Sequence, residues 1–331
     1  MSTEAGSATT VGLVELGRLG PQLAEGGQAR IHLAPGLTLS GVSEPLVAKL
    51  YKDFWPSPYG LRRLVSVRNG LTPDRRNRLD QLAAWPLRVI EHDGQVRGVV
   101  LPLIPPTFFQ DRVLPGTGRP DRTPREVQHL LIPPARARRV GMPTPSREQR
   151  LRICRDFALM LHFVHRHDLI IGDLSARNAL FRIGAYPSVM LVDCDAIRIR
   201  GNAPVVAQLN TPDWDPPERP LTQYSDRYKF GLFVLRCLSN GDQMSTTRDP
   251  ARADAVLDPP GRQLLRAALA GAPTDRPSAR DWGDYFEFRL TGRRLPPVVV
   301  DSGRTVTPRR SETLSTTGWI RDPATGRWKQ R

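Results

Sequence analysis

Lysine is nearly missing from this chain of 331 residues. Among 48 lysines and arginines only Lys49, Lys52, Lys229 and Lys329 are lysine, so a lysine here is a less casual choice than usual and marks a place suited to a compact ammonium. Cysteine is scarcer still. Cys154, Cys194 and Cys237 are an odd number, lack C-x-x-C spacing and sit among apolar neighbours, which favours buried thiols over a zinc site or a disulfide framework. No apolar run approaches the roughly 18 residues of a membrane span. The segment Met1 to Thr10 also lacks the basic and apolar regions of a signal peptide, so the expectation is a cytoplasmic protein without a membrane partner. The stretch 194–210 contains no Ser, Thr or Tyr, and therefore no hydroxyl that could be phosphorylated.

What is present is enough apolar residue, 39%, for a sizeable core. The net charge of +15 is unevenly spread. Residues 106–150 carry +5 and residues 292–331 carry +6, leaving +4 for the remainder. The basicity thus belongs to an inserted segment and a tail with little aromatic interleaving, and nucleic acid is not the expected partner. An acidic protein partner for either basic segment is a better match to their charge.

Strands dominate the first hundred residues. Val47, Lys49 and Tyr51 alternate with Leu46, Ala48 and Leu50, and Leu87 to Glu91 is expected to pair with Gln95 to Leu103 across the turn Asp93-Gly94. One helix is expected here, opened by Thr72-Pro73-Asp74 and running to about Ala84. Residues 106–147 hold eight prolines and clustered arginines without a long periodic run, which reads as an insertion outside the core. From Ser146 the pattern turns helical, with a Ser146/Gln149 capping box and Cys154, Phe157, Ala158, Leu161 and Val164 on one face. Further helices are expected near 225–239, 261–270 and 279–289. The tail from Thr291 is expected to be largely mobile.

The chemistry concentrates after that first long helix. Asp173 and Asn178 stand five apart between apolar runs, and Asp193 ends the buried-strand pattern Val189-Met190-Leu191-Val192. Phosphoryl transfer requires a carboxylate to orient the attacking hydroxyl, oxygen ligands for Mg2+ and a cation on the phosphates, and this set has a candidate for each. It resembles the catalytic loop and metal-binding loop of protein kinases. Four further segments extend the resemblance in order. Val47-Ala48-Lys49 resembles the strand whose lysine contacts the α/β-phosphates. Thr211 to Glu218 resembles the peptide-substrate platform, Asp226 to Gly231 the opening of the central helix, and Arg276 the arginine that pairs with the platform glutamate, here Glu218. Leu23 to Ile31 looks like a degraded glycine-rich loop in which Gly26 and Gly27 remain, of the kind that lets backbone N–H groups approach phosphate oxygens.

The nearest group in the resemblance is that of divergent bacterial kinase-like proteins, some of which carry helix-hairpin-helix regions; no such region is evident here. It implies an α+β, two-lobed kinase-like fold with an N-lobe at 12–105, the insertion at 106–147, a C-lobe at 148–290 and a basic tail at 291–331. It also implies Asp173 as catalytic base, Thr211 beside it, Asn178 and Asp193 on Mg2+, and Lys49 with Gly26 and Gly27 on ATP. Asp80 is the expected carboxylate partner of Lys49. The implied activity is transfer of the γ-phosphate of ATP to a protein substrate, with Ser/Thr favoured by Thr211. Ile171 and Gly172 replace the His and Arg before the base, so loop phosphorylation is not the expected switch. Asp195 replaces a glycine beside the metal ligand and is expected either to bind Mg2+ or to restrict the loop. The alternatives are a nucleotide-binding pseudokinase scaffold, a small-molecule phosphotransferase, which the 211–218 platform disfavours, and a basic nucleic-acid binder.

Overall fold

A computed structural model describes residues 9–294 except 53–57, 114–116, 185, 187, 202–212, 220, 240 and 242–243, together with the backbone of 319–321 and 328–330. Within it, residues up to Leu295 form one unit and Pro296–Arg331 another.

The first unit is α+β. It opens with β1 (Thr10–Gly12), β2 (Gln22–Glu25), β3 (Ala29–Leu33) and β4 (Leu46–Tyr51), continues through helices α1 (Pro58–Asn69) and α2 (Pro73–Leu82), and returns as β5 (Arg88–His92) and β6 (Gln95–Pro102). These strands make one sheet of order β1-β5-β6-β4-β3-β2, antiparallel except for the β1/β5 edge. Alternation along β4 divides its side chains between two cores. Leu46 and Ala48 join Val11, Leu16, Ile90 and Val100 on one face, while Val47 joins Val89, Val99 and Leu101 under Leu61 and Val65 of α1 on the other. Lys49 and Tyr51 share the face of Val47. Strand β6 comes close to them only because of Gly98, where any Cβ would lie 2.2 Å from the carbonyl oxygen of Lys49.

Helix α1 corrects the expectation of one helix in this region. Its sequence lacks an acidic first turn and its last residues carry only Arg68 as a C-terminal cation, so the usual end signals are weak. The signal that existed is the spacing of buried Leu61, Leu64, Val65 and Arg68 along one face.

The proline- and arginine-rich segment is built into the core, contrary to the reading of 106–147 as peripheral. A hairpin of β7 (Phe109–Val113) and β8 (Pro120–Pro124) is followed by a 3-10 turn at Val127–Leu130 and the short helix α3 (Pro134–Arg139). Val127, Leu130 and Leu131 are buried in the same cluster as Ile153, Phe157 and Leu161, and Phe108 packs with Leu180 and Met190. Prolines begin or precede these short elements, which explains why no long period announced them.

Helix α4 (Arg147–Arg166), with its Ser146/Gln149 capping box formed, leads into β9 (Leu169–Ile170), β10 (Ala179–Phe181), β11 (Val189–Leu191) and β12 (Arg198–Ile199). β10 pairs with β11 and β12 with β9, both antiparallel. Helices α5 (Gln223–Leu238), α6 (Pro259–Ala270) and α7 (Ala279–Thr291) complete the unit. α5 is buried almost all round, with Phe230, Leu232, Phe233, Val234 and Leu235 fully covered, as a helix inside a helical layer should be. Gly231 permits that packing, since a Cβ there would lie 2.8 Å from the Cβ of Ala268 on α6. All three cysteines are buried free thiols. No helix among the described residues is long and apolar enough to cross a membrane. In the second unit, β13 (Trp319–Arg321) pairs antiparallel with β14 (Trp328–Gln330). The composition of this segment, which reads as a largely mobile tail, does not announce that short hairpin.

Candidate active site

Lys49 projects from the middle of β4, held between Ile31 on β3 and Val99 on β6. Its Nζ donates to Asp195 Oδ1 at 2.8 Å and to Asp193 Oδ1 at 3.1 Å. The Tyr51 hydroxyl, two residues along the same strand face, donates to the second oxygen of Asp195 at 2.7 Å. Asp195 is almost fully covered, with a side chain 4% exposed, whereas that of Asp193 is 55% exposed. Burial alone would push the Lys49 ammonium toward neutrality, but the charges of Asp195 and Asp193 outweigh it and hold the lysine above its ordinary pKa. Burial, with Asp195 beside it, also pushes the Tyr51 phenol well up, so the tyrosine remains a donor.

Two carboxylates only two residues apart converge on one ammonium because of the backbone between them. Asp193 adopts a left-handed conformation (φ 55°), and a 3-10 turn follows at Cys194–Ala196, closed by the Ala196 N–H on the Asp193 carbonyl at 3.1 Å. A carboxylate side chain tolerates that conformation better than most.

Asn178 and Asp193 leave the same end of the β10/β11 hairpin. The register pairs Ala179 with Leu191, and the Val192 N–H donates to the Asn178 carbonyl at 2.9 Å. The Asn178 amide then donates to the Asp173 carbonyl at 2.8 Å and to Asp173 Oδ2 at 3.0 Å. An unbroken path therefore runs from Lys49 through Asp193, Val192 and Asn178 to Asp173. The loop before Asp173 is fixed from α5, where Asp226, fully buried, accepts the N–H groups of Ile171 and Gly172, each at 2.9 Å.

Farther along, Arg276 forms a two-pronged ion pair with Glu218, at 2.6 and 2.9 Å, and also donates to the Tyr224 carbonyl at 2.9 Å. Burial pushes the Glu218 carboxyl up, and the bonds from Arg276 more than reverse it, leaving it below its ordinary value. Thr211 lies outside the described residues, as does Pro212.

One expected pairing is not made. Asp80 is held by Arg68 through bonds of 2.7 and 2.6 Å, and the carboxylates on Lys49 come from Asp193 and Asp195. The reason is local: Arg68 on α1 and Asp80 on α2 are neighbours across a short turn, and the fork of a guanidinium matches a carboxylate well. α1, packed over the Lys49 face of the sheet, contains no acidic residue at all. Reasoning from sequence misses Tyr51 and assigns Asp195 to the metal or the loop. The alternation that puts Tyr51 on the Lys49 face is the available signal.

The residues present fit Mg2+ bound together with phosphate oxygens. Asp193 and the Asn178 amide oxygen are hard oxygen donors on adjoining strand ends, the kind of sparse protein set that leaves most positions of that ion to water and phosphate. No cluster of three or more His, Cys, Asp or Glu suited to a metal occurs among the described residues. The β2/β3 turn fits a phosphate as well. Gly26 N–H closes it on the Ala29 carbonyl at 2.9 Å, and a Cβ at Gly26 or Gly27 would touch nothing within 4 Å. Contacts within the chain therefore do not demand glycine there, and its use leaves the backbone open to approach. No known family model matches this chain, and no curated protein matches it significantly.

Proposed function

We propose that this chain is an ATP-dependent protein kinase of two-lobed architecture that transfers a γ-phosphoryl group to a protein hydroxyl. The observation that carries the reading is the bonded path joining Lys49, on a strand of the first hundred residues, to Asp193, Asn178 and Asp173, which share the stretch 173–193. The pairing of Glu218 with Arg276 and the grip of Asp226 on the loop add two features that a small-molecule phosphotransferase would not need.

In this reading Asp173 accepts the proton of the attacking hydroxyl as its oxygen bonds to the γ-phosphorus. The bond from that phosphorus to the bridging oxygen breaks, and ADP leaves with the electron pair. Asn178 orients Asp173 through the hydrogen bond already in place and, with Asp193, would hold Mg2+, which supplies neutralisation of phosphate charge when bound. Lys49 would release one of its carboxylates to contact the α/β-phosphates. The turn at Gly26 and Gly27, with no side chain at either position, would let the backbone approach the same end of the nucleotide.

A second reading, a nucleotide-binding scaffold without turnover, is favoured by one observation: Lys49 is already engaged by two carboxylates, one of them buried. Transfer from γ-labelled ATP separates the two. Wild type is expected to label itself or a general protein substrate. Asp173→Asn is expected to cut that rate by about 10²-fold or more, and Lys49→Ala to raise the KM for ATP. Thermal stabilisation by Mg-ATP without any transfer establishes the scaffold instead. Equal labelling by Asp173→Asn removes Asp173 from the role of base.

A further inference from the structure

Helix α5 carries a second residue aimed at the catalytic loop. Lys229 stands three positions after Asp226, on the same helical face, and is fully buried. Its Nζ donates to the Gly172 carbonyl at 2.7 Å, while Asp226 accepts the N–H of the same residue at 2.9 Å. Both polar groups of Gly172 are thus gripped by one helix, at the residue immediately before Asp173. Gly172 adopts the left-handed conformation (φ 71°), and the Asp173 N–H folds back onto the Ile171 carbonyl at 2.8 Å. The direction in which Asp173 leaves this turn depends on that peptide being held.

Packing does not explain a lysine at this position. Burial pushes its ammonium toward neutrality, and the charges of Asp226, Asp173 and Asp215 act against that, so the side chain sits in the interior at a desolvation cost. A methionine has similar length and no charge to desolvate. The choice is made in a sequence with only four lysines, and the loop from Ile171 to Ala176 contains no basic residue of its own.

We infer that Lys229 is the positioning residue for Asp173, acting from α5 through the Gly172 carbonyl. It does so without touching the nucleotide, because its side chain is buried in the helical layer. The inference rests on the phosphotransfer reading for its consequence in rate, and on geometry alone for the holding of the loop.

Both parts are measured on the full chain with Lys229→Met and Lys229→Arg. For Lys229→Met the expected result is a thermal midpoint equal to or above that of wild type and a kcat lower by about 10- to 100-fold. The KM for Mg-ATP should move less than about threefold, with faster hydrogen exchange confined to residues 169–178. Lys229→Arg should recover part of both losses. Unchanged kcat and unchanged exchange in Lys229→Met overturn the inference. So does faster exchange spread evenly over α4, α5 and α7 in both variants, which would make Lys229 a core residue only. If wild type transfers no phosphate the kinase reading fails by itself, and exchange in residues 169–178 still decides whether Lys229 holds the loop.

Discussion

At the Lys49 end of the site the anchoring carboxylates come from a turn, Asp193 and Asp195, and the helix packed over that sheet face supplies none. At the Asp173 end the anchors come from a helix buried on nearly every side, through Asp226 and Lys229. The first arrangement ties Lys49, the proposed nucleotide lysine, to the loop that would carry the metal. The second ties the turn before Asp173, the proposed base, to an element packed into the core. Lys49 can therefore be rearranged by whatever moves residues 193–195, whereas the turn leading into Asp173 is held by α5. In the proposed kinase reading such a site would not need a swinging helix to complete its lysine, and the expectation from a stretch 194–210 without hydroxyls is a segment set by packing or by a partner.

Changes at the two ends should differ in size. The largest effect is expected for Asp226→Ala, which leaves the buried N–H groups of Ile171 and Gly172 and the His165 ring without their carboxylate. Loss of one partner from such a network costs about 3–5 kcal/mol, so chemical denaturation should show a large drop in midpoint and transfer should vanish. A change below about 1 kcal/mol would mean that the loop is not held from α5 and would erase the comparison.

Asp195→Asn comes next. It removes the nearer charge from Lys49 but leaves Asp193, so the expected loss is smaller, about 2–3 kcal/mol, accompanied by a raised KM for ATP. Tyr51→Phe removes a single hydrogen bond to the same carboxylate and should cost about 1 kcal/mol. If Asp195→Asn instead binds ATP more tightly than wild type, as measured by calorimetry, Asp195 competes with phosphate for Lys49 and is the carboxylate that the lysine releases.

The smallest effect concerns acid. Burial and the neighbouring charges of Arg166, Arg280 and His165 lower the His162 pKa to about 4, and burial with Arg112 lowers His129 to about 4, against 6.5 for an ordinary histidine. Unfolding lets both bind protons between those values, so stability should be complete above about pH 6.5 and decline as pH falls toward 4. His162 Nε2 makes no hydrogen bond among the described residues, so its replacement leaves no partner stranded. His162→Leu should flatten the slope of melting temperature against pH in that window while leaving the value at pH 7.5 nearly unchanged. An unaltered slope would exonerate His162.

Much of the site is legible in the sequence. The strand alternation around Lys49, the β10/β11 pattern around Asn178 and Asp193, and the Ser146/Gln149 capping box are local features, and local rules fix them. So is the scarcity of lysine, which points to Lys49 on its strand and equally to Lys229, whose meaning depends on a loop far away in the chain. Asp80 misleads because an acid on a helix is visible in sequence while its nearest arginine in space is not.

Sequence by itself determined the chemical inventory and the elements that carry it: a lysine on a strand, an Asp and an Asn five apart, an acid at a strand end, and an apolar helix with Asp226 near its start. Only the tertiary structure decided the partners. That Lys49 would meet residues 144 and 146 positions away, that Gly172 would be gripped on both sides by α5, and that a proline-rich segment would bury Val127, Leu130 and Leu131 are matters of which surfaces meet. Those meetings depend on loop paths and packing across the whole chain, and no local period encodes them.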